Sequence, residues 1–233
     1  VPDVSRVPVS CVTPARPVEE GKLADYKYVN RNRNGMLEAN FHGEDSVPRD
    51  WKRKSSMVFE DGAVPDILPE NSSLSYEAAT GFLYDEFQRL FGLGREDFSI
   101  RQTIVDSAFY RCSGSGKDIV WKERATDTGR YMFTFRQQFR GIPYQPALDC
   151  YDPQHWKLGS EKNIRDGRAS AQITDTAHFR IVSLLMEEAG LVHEDIPLLP
   201  FEKAKEAFER EIMAGRLRSV DSLELCYIPY ADP

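Results

Sequence analysis

No stretch of this 233-residue chain stays apolar for long. Charged residues make up 29% of it and interrupt every hydrophobic run within a few positions, which excludes a membrane-spanning helix. A basic excess is missing as well: 30 Lys and Arg stand against 37 Asp and Glu, a net charge of -7. Phosphate backbones are not attracted to such a surface, so nucleic acid is not an expected partner. Cysteines are few and scattered. Cys11, Cys112, Cys150 and Cys226 show no C-x-x-C spacing, so the zinc and redox signatures are absent and idle or buried thiols are the plainer reading. Cys112 and Cys150 stand at the ends of predicted strands and form a bridge only if those strands are neighbours.

The motifs of catalysis are equally scarce. His42, His155, His178 and His193 have no helical i, i+4 partner, so no metal site is expected. There is no G-x-S-x-G elbow and no Cys-His or Ser-His pairing. Gly114-Ser115-Gly116-Lys117 lacks the full spacing of a phosphate loop and does not open a helix, so it reads as a hairpin turn. Nothing favours Asp149 with Asp152 over any other pair of acids. No catalytic, cofactor-binding or metal-binding residue is therefore named, no cofactor is expected, and the chain is not expected to be an enzyme. Val1 to Pro17 show no basic segment followed by an apolar stretch, so a signal peptide was removed or never existed. Val-Pro-Val-Ser-Cys11 superficially looks like a lipidation site but lacks the apolar region that precedes one.

What the sequence does contain is enough for a core, with 41% hydrophobic residues. Residues 1–70 are rich in proline, asparagine and charge and read as an irregular N-terminal segment, with one edge strand at Val4 to Val12, where Pro2 and Pro8 are tolerated. Basic Arg49 to Lys54, with Trp51, reads as a solvated loop because acids flank it. From Ser75 the period changes. Ala78, Ala79, Phe82, Leu83, Phe87, Leu90 and Phe91 share one helix face, Ser75 caps it, and Gly92 with Gly94 ends it. A meander follows through Ile100 to Tyr110 and Ile119 to Trp121. In Arg130 to Phe139 the rings Tyr131, Phe133, Phe135 and Phe139 alternate with Met132, Thr134, Gln138 and Arg140, which predicts a strand whose four aromatics face the first helix.

Tyr144 to Tyr151 is expected to continue or return along this sheet, and Ala169, Ala171 and Ile173 alternate as a strand. Phe179 to Ala189 fits either a strand or a short helix. A second helix is predicted over Pro200 to Ala214, with Phe201, Ala204, Phe208 and Ile212 as its stripe and Gly215 as its stop. Val220 to Tyr230 alternates again. One strand cannot support a helix alone, so this strand is expected to pair with Ala169 to Thr174 or Phe179 to Met186, or with a second copy. Leu74-Ser75-Tyr76-Glu77-Ala78-Ala79 echoes Leu199-Pro200-Phe201-Glu202-Lys203-Ala204, each opening a helix that leads to a strand.

The stretch Arg130 to Tyr144, an aromatic strand ending in Gly-Ile-Pro, resembles the strand and turn of PepSY-like domains. With the Leu74 and Leu198 helix starts and the Leu223-Glu224-Leu225-Cys226-Tyr227 strand, it is similar to secreted or lipid-anchored proteins of clostridia and related gut bacteria, laid out like the YycH and YycI regulators of a cell-wall sensor kinase. The resemblance spans about Leu74 to Tyr230. It implies an α+β fold of tandem units, each a helix packed on an antiparallel sheet, with a first unit at 71–195 and a second beginning at 196–233. It favours a strand for Phe179 to Met186. It also implies strands after the Leu-x-Tyr segment that are not in this sequence, so the second unit is short or the sequence is a fragment.

The same resemblance implies a non-catalytic, extracytoplasmic binding or regulatory module, secreted or held at the cell membrane by a lipid anchor outside this chain. Its partner is a protein or peptide at the cell envelope, and a homodimer is a further expectation. The polar side of the aromatic strand, Arg136, Gln138 and Arg140, is the candidate partner-binding surface. Two rivals stand beside this reading. A hydrolase with an unrecognised site would show a pocket gathering two titratable groups. A structural component of an envelope or spore layer would show an extended self-association surface.

Overall fold

The computed structural model describes residues 6–31, 36–41, 51–54, 56–60, 62–124, 126, 128–144, 167–218 and 225–227. In chain order its elements are β1 (Arg6–Pro14), β2 (Tyr28–Arg31), β3 (Leu37–Asn40), β4 (Trp51–Arg53), β5 (Ser56–Glu60), α1 (Tyr76–Phe91), β6 (Phe98–Asp106), β7 (Phe109–Ser113) and β8 (Val120–Arg124). They continue with β9 (Arg130–Phe139), β10 (Ile142–Pro143), β11 (Arg168–Asp175), β12 (His178–Leu184), β13 (Met186–Pro197) and α2 (Phe201–Met213). The class is α+β, and every strand pairing is antiparallel.

The main sheet runs β2-β3-β12-β11-β9-β6-β5, with β10 folded back on the end of β9. Strand alternation decides which face is wet. Tyr131, Phe133 and Phe135 of β9 are fully buried on one face with Ala169, Ala171 and Ile173 of β11 and Phe179 and Ile181 of β12. Helix α1 lies on that face because its own apolar stripe, Ala79, Leu83, Phe87 and Leu90, needs a dry surface. Phe87 meets Phe135 edge-on at 4.9 Å, Tyr76 meets Phe133 at 5.8 Å, and Phe82 meets Phe179 at 4.8 Å. The caps are the ones the sequence announces. The Ser75 hydroxyl accepts the Ala78 N–H at 3.1 Å, and Gly92 closes the helix at φ 72°.

Phe139 departs from the expected set. It is half-buried and packs edge-on against Tyr144 and Tyr227, at 5.8 and 6.4 Å, instead of on the helix. By strand parity its neighbour on the core side is Gln137, which is buried where a ring would continue the pattern.

The N-terminal segment is more regular than its composition suggests. It supplies five strands, and β2, β3 and β5 form the two flanks of the main sheet. These strands are four or five residues long, too short to display a period, and they are held by pairing of β2 with β3, β3 with β12 and β5 with β6. Trp51 to Arg53, read as loop, is β4 in a separate sheet ordered β4-β7-β8. Gly114 to Lys117 lies in the β7–β8 hairpin, as expected, with Gly114 at φ 82°. The predicted edge strand is β1, which pairs with β13 in a two-stranded ribbon. Phe179 to Ala189, ambiguous in sequence, is strand on both sides of Leu185.

The expected partners of the last strand are occupied. A strand has two hydrogen-bonding edges; β11 uses its edges on β9 and β12, and β12 uses its edges on β11 and β3. Tyr227 instead makes a single parallel bridge to Tyr144, its N–H donating to the Pro143 carbonyl at 2.8 Å. Residues 220–224 and 228–230, and Gln145 to Tyr151, lie outside the described residues.

Candidate interaction surfaces

The three residues of the predicted partner-binding surface do not form one open patch. Arg136 is only 6% exposed, seated between Ser99 of β6 and Arg168 of β11. Gln138 is half-buried opposite Pro143 of β10. Arg140 alone is exposed. It takes a positive φ of 54° in the tight turn to β10 and donates to Glu188 at 3.1 Å. Arg136 lies between two paired strands and Gln138 beside β10, whereas Arg140 stands in the turn past the end of β9. Gln137, which sequence reasoning passed over, is the organising side chain there. Its one detectable signal is that it stands at a position where alternation calls for a ring.

A second polar cluster joins the small sheet to the main one. Asp106, buried at the end of β6, takes Arg53 of β4 at 2.7 Å and Arg130 of β9 at 3.6 Å. Arg53 stacks over the Phe109 ring at 3.8 Å, and Arg130 lies 5.6 Å from the same ring. Burial lowers the Arg53 guanidinium to about 10, helped by the neighbouring Arg130 charge and opposed by Asp106. Burial also raises the Asp106 carboxyl, against the pull of both arginines. Beside it, burial would raise the Glu70 carboxyl. The Ala108 N–H at 3.0 Å, the Tyr110 hydroxyl at 2.9 Å and Arg124 outweigh this and hold it below its ordinary value. These groups pair with one another across the junction, which suits a clamp between two sheets.

A small cleft opens between Val18, Leu37, Phe91 and Leu185, with Arg16 and Arg31 also in its lining and no carboxylate, thiol or imidazole. Its volume of about 80 Å³ has room for a few waters, well short of the roughly 300 Å³ at which small-molecule sites begin. Among the described residues no three His, Cys, Asp or Glu side chains come together to hold a metal ion. His178 is exposed and pairs with Asp175 at 2.8 Å, His193 is exposed, and His42 and His155 lie outside the described residues. Cys112 is a buried free thiol, and Cys150 lies outside the described residues. No helix among the described residues is long and apolar enough to cross a membrane.

Exposed apolar groups are scattered over several elements, and two of these bear on binding. One is the flank of the main sheet: among the described residues β5 pairs only with β6, and its Met57 and Val58 are 56% and 53% exposed. The other is α2, none of whose residues is buried. Comparison with protein families, with curated proteins and with solved structures finds no match.

Proposed function

We propose that this chain is a non-catalytic binding or regulatory module of the cell envelope that takes up an extended protein or peptide segment on the β5 edge. The observation that carries this reading is that edge. An antiparallel sheet whose outer strand has no second partner among the described residues, with Met57 and Val58 exposed, is the arrangement to which a further strand adds. It carries none of the lysines that blunt such edges: β5 reads Ser-Met-Val-Phe-Glu. Backbone pairing supplies affinity, and the alternate contacts of the added strand with Met57 and Val58 supply selectivity.

The finer architecture, tandem PepSY-like units with the second incomplete, and the extracytoplasmic location belong to the same proposal and rest on the resemblance of Arg130 to Tyr144. Arg140, in the turn just past β9, replaces the broader surface of Arg136, Gln138 and Arg140 as the exposed residue of that region, and β6 separates β9 from β5.

A displayed library of short random peptides selected on the purified chain tests the reading. Enriched peptides are expected to alternate apolar residues, to perturb the backbone amides of 56–60, and to lose binding to the double variant Met57→Lys, Val58→Lys. Peptides that perturb only other surfaces, or that bind the variant unchanged, would remove the β5 edge as the site.

A further inference from the structure

Helix α2 carries an apolar stripe that has no partner element among the described residues. At 3.6 residues per turn Phe201, Ala204, Phe208 and Ile212 line one side, and Phe201, Phe208 and Ile212 keep 43%, 37% and 36% of their surface in water. None of the described elements packs along it. A helix of 13 residues with such a stripe gains most of its stability from covering it.

The residues flanking the stripe indicate what covers it. Lys205 and Glu209 stand one turn apart along one flank; Ala207 and Glu211 form the other, where Glu211 is taken by Arg216 of the same chain at 2.7 Å. Two copies of α2 laid antiparallel bring like flanks together. Lys205 then lies beside Glu209 of the second copy, and Glu209 beside its Lys205, giving two opposite-charge pairs about the two-fold axis. In the same register Phe208 sits over Ala204 of the second copy, a large residue over a small one, and Phe201 meets Ile212. A parallel copy sets the Lys205–Glu209 flank against Ala207 and Glu211, so that Glu209 faces Glu211.

We infer that α2 is a self-association helix whose occupant is the α2 of a second copy, antiparallel, with Phe208 over Ala204 and Lys205 beside Glu209. This does not depend on the β5 edge. The dimer is weak, because the seam of a 13-residue helix falls well below the area of a standard interface.

Sedimentation equilibrium of the full chain over a wide concentration range tests it. The wild type is expected to dimerise reversibly and Phe208→Glu to stay monomeric with an unchanged melting temperature, since Phe208 is outside the core. Lys205→Glu and Glu209→Lys each place like charges at both pairs and are expected to weaken the dimer roughly tenfold. A mixture of these two variants restores both pairs and is expected to form a heterodimer at least as strong as the wild type. That rescue acts only between chains and only in the antiparallel arrangement. A wild type that is monomeric throughout, charge variants that dimerise like the wild type, or a mixture no stronger than its components would each overturn the inference.

Discussion

Gln137 of β9 and Met186 at the start of β13 are joined by two hydrogen bonds: the side-chain amide donates to the Met186 carbonyl at 2.6 Å and its oxygen accepts the Met186 N–H at 2.9 Å. The side chain thus completes the backbone pairing of a residue that has just left the main sheet for the ribbon with β1. Both residues are fully buried, so no water replaces these bonds.

Gln137→Ala leaves the Met186 donor and acceptor unpaired in the interior. It is expected to cost about 2 to 4 kcal/mol, read as a lower urea midpoint at unchanged slope. Gln137→Glu keeps the size but, as a carboxylate, sets an acceptor against the Met186 carbonyl; it should be less stable at neutral pH than near pH 4. Equal midpoints for wild type and alanine variant would show that the pair does not hold the crossing.

Phe135 is enclosed by Phe87, Phe98 and Tyr84, while among the described residues the Phe139 ring packs edge-on with Tyr144 and Tyr227 alone. Truncation should separate them. Phe135→Ala is expected to cost about 3 to 5 kcal/mol, and Phe139→Ala less, because its ring is already half in water. Thermal or chemical denaturation of the two variants decides the order.

The first turn of α1 hangs on one hydroxyl, from Ser75 to the Ala78 N–H. Ser75→Ala is expected to lower stability by about 1 kcal/mol, and Ser75→Asp to restore it. At the other end Gly92→Ala should destabilise, because a side chain there must adopt φ 72°. A Gly92→Ala protein as stable as wild type would contradict the left-handed cap.

Glu70 supplies an acid-side dependence. Its carboxyl is held below the ordinary value in the folded chain, so the unfolded chain takes up the proton first as the pH falls. Stability from this group is complete above the ordinary Glu value and is lost as the pH drops through the folded one. Glu70→Gln should therefore flatten the acid limb of a urea-midpoint profile while leaving its alkaline limb in place. An acid limb of unchanged steepness would assign that dependence to other carboxylates.

Both helices, the two caps of α1, the aromatic strand and the glycine hairpin were all readable from residue order, because each depends on contacts within a few positions. Three to five residues are too few to show a period, so β2 to β5 gave no such signal; pairing of β2 with β3, β3 with β12, β4 with β7 and β5 with β6 makes them strands. The same holds for Phe179 to Ala189, whose apolar residues satisfy either period until β11 and β3 pair with its first part and β1 with its last.

The candidate surface shows the limit most clearly. Alternation correctly set Arg136, Gln138 and Arg140 apart from the rings, but a pattern of period two says only that a residue leaves one face of a strand. Whether the other face meets water depends on what else the chain lays there. Arg136 is buried between β6 and β11 and Gln137 is tied to Met186, while Arg140, in the turn past β9, is left outside. Local order therefore settled which side chains point together, and tertiary packing settled which of those sides is surface, because burial is a property of neighbours distant in the chain.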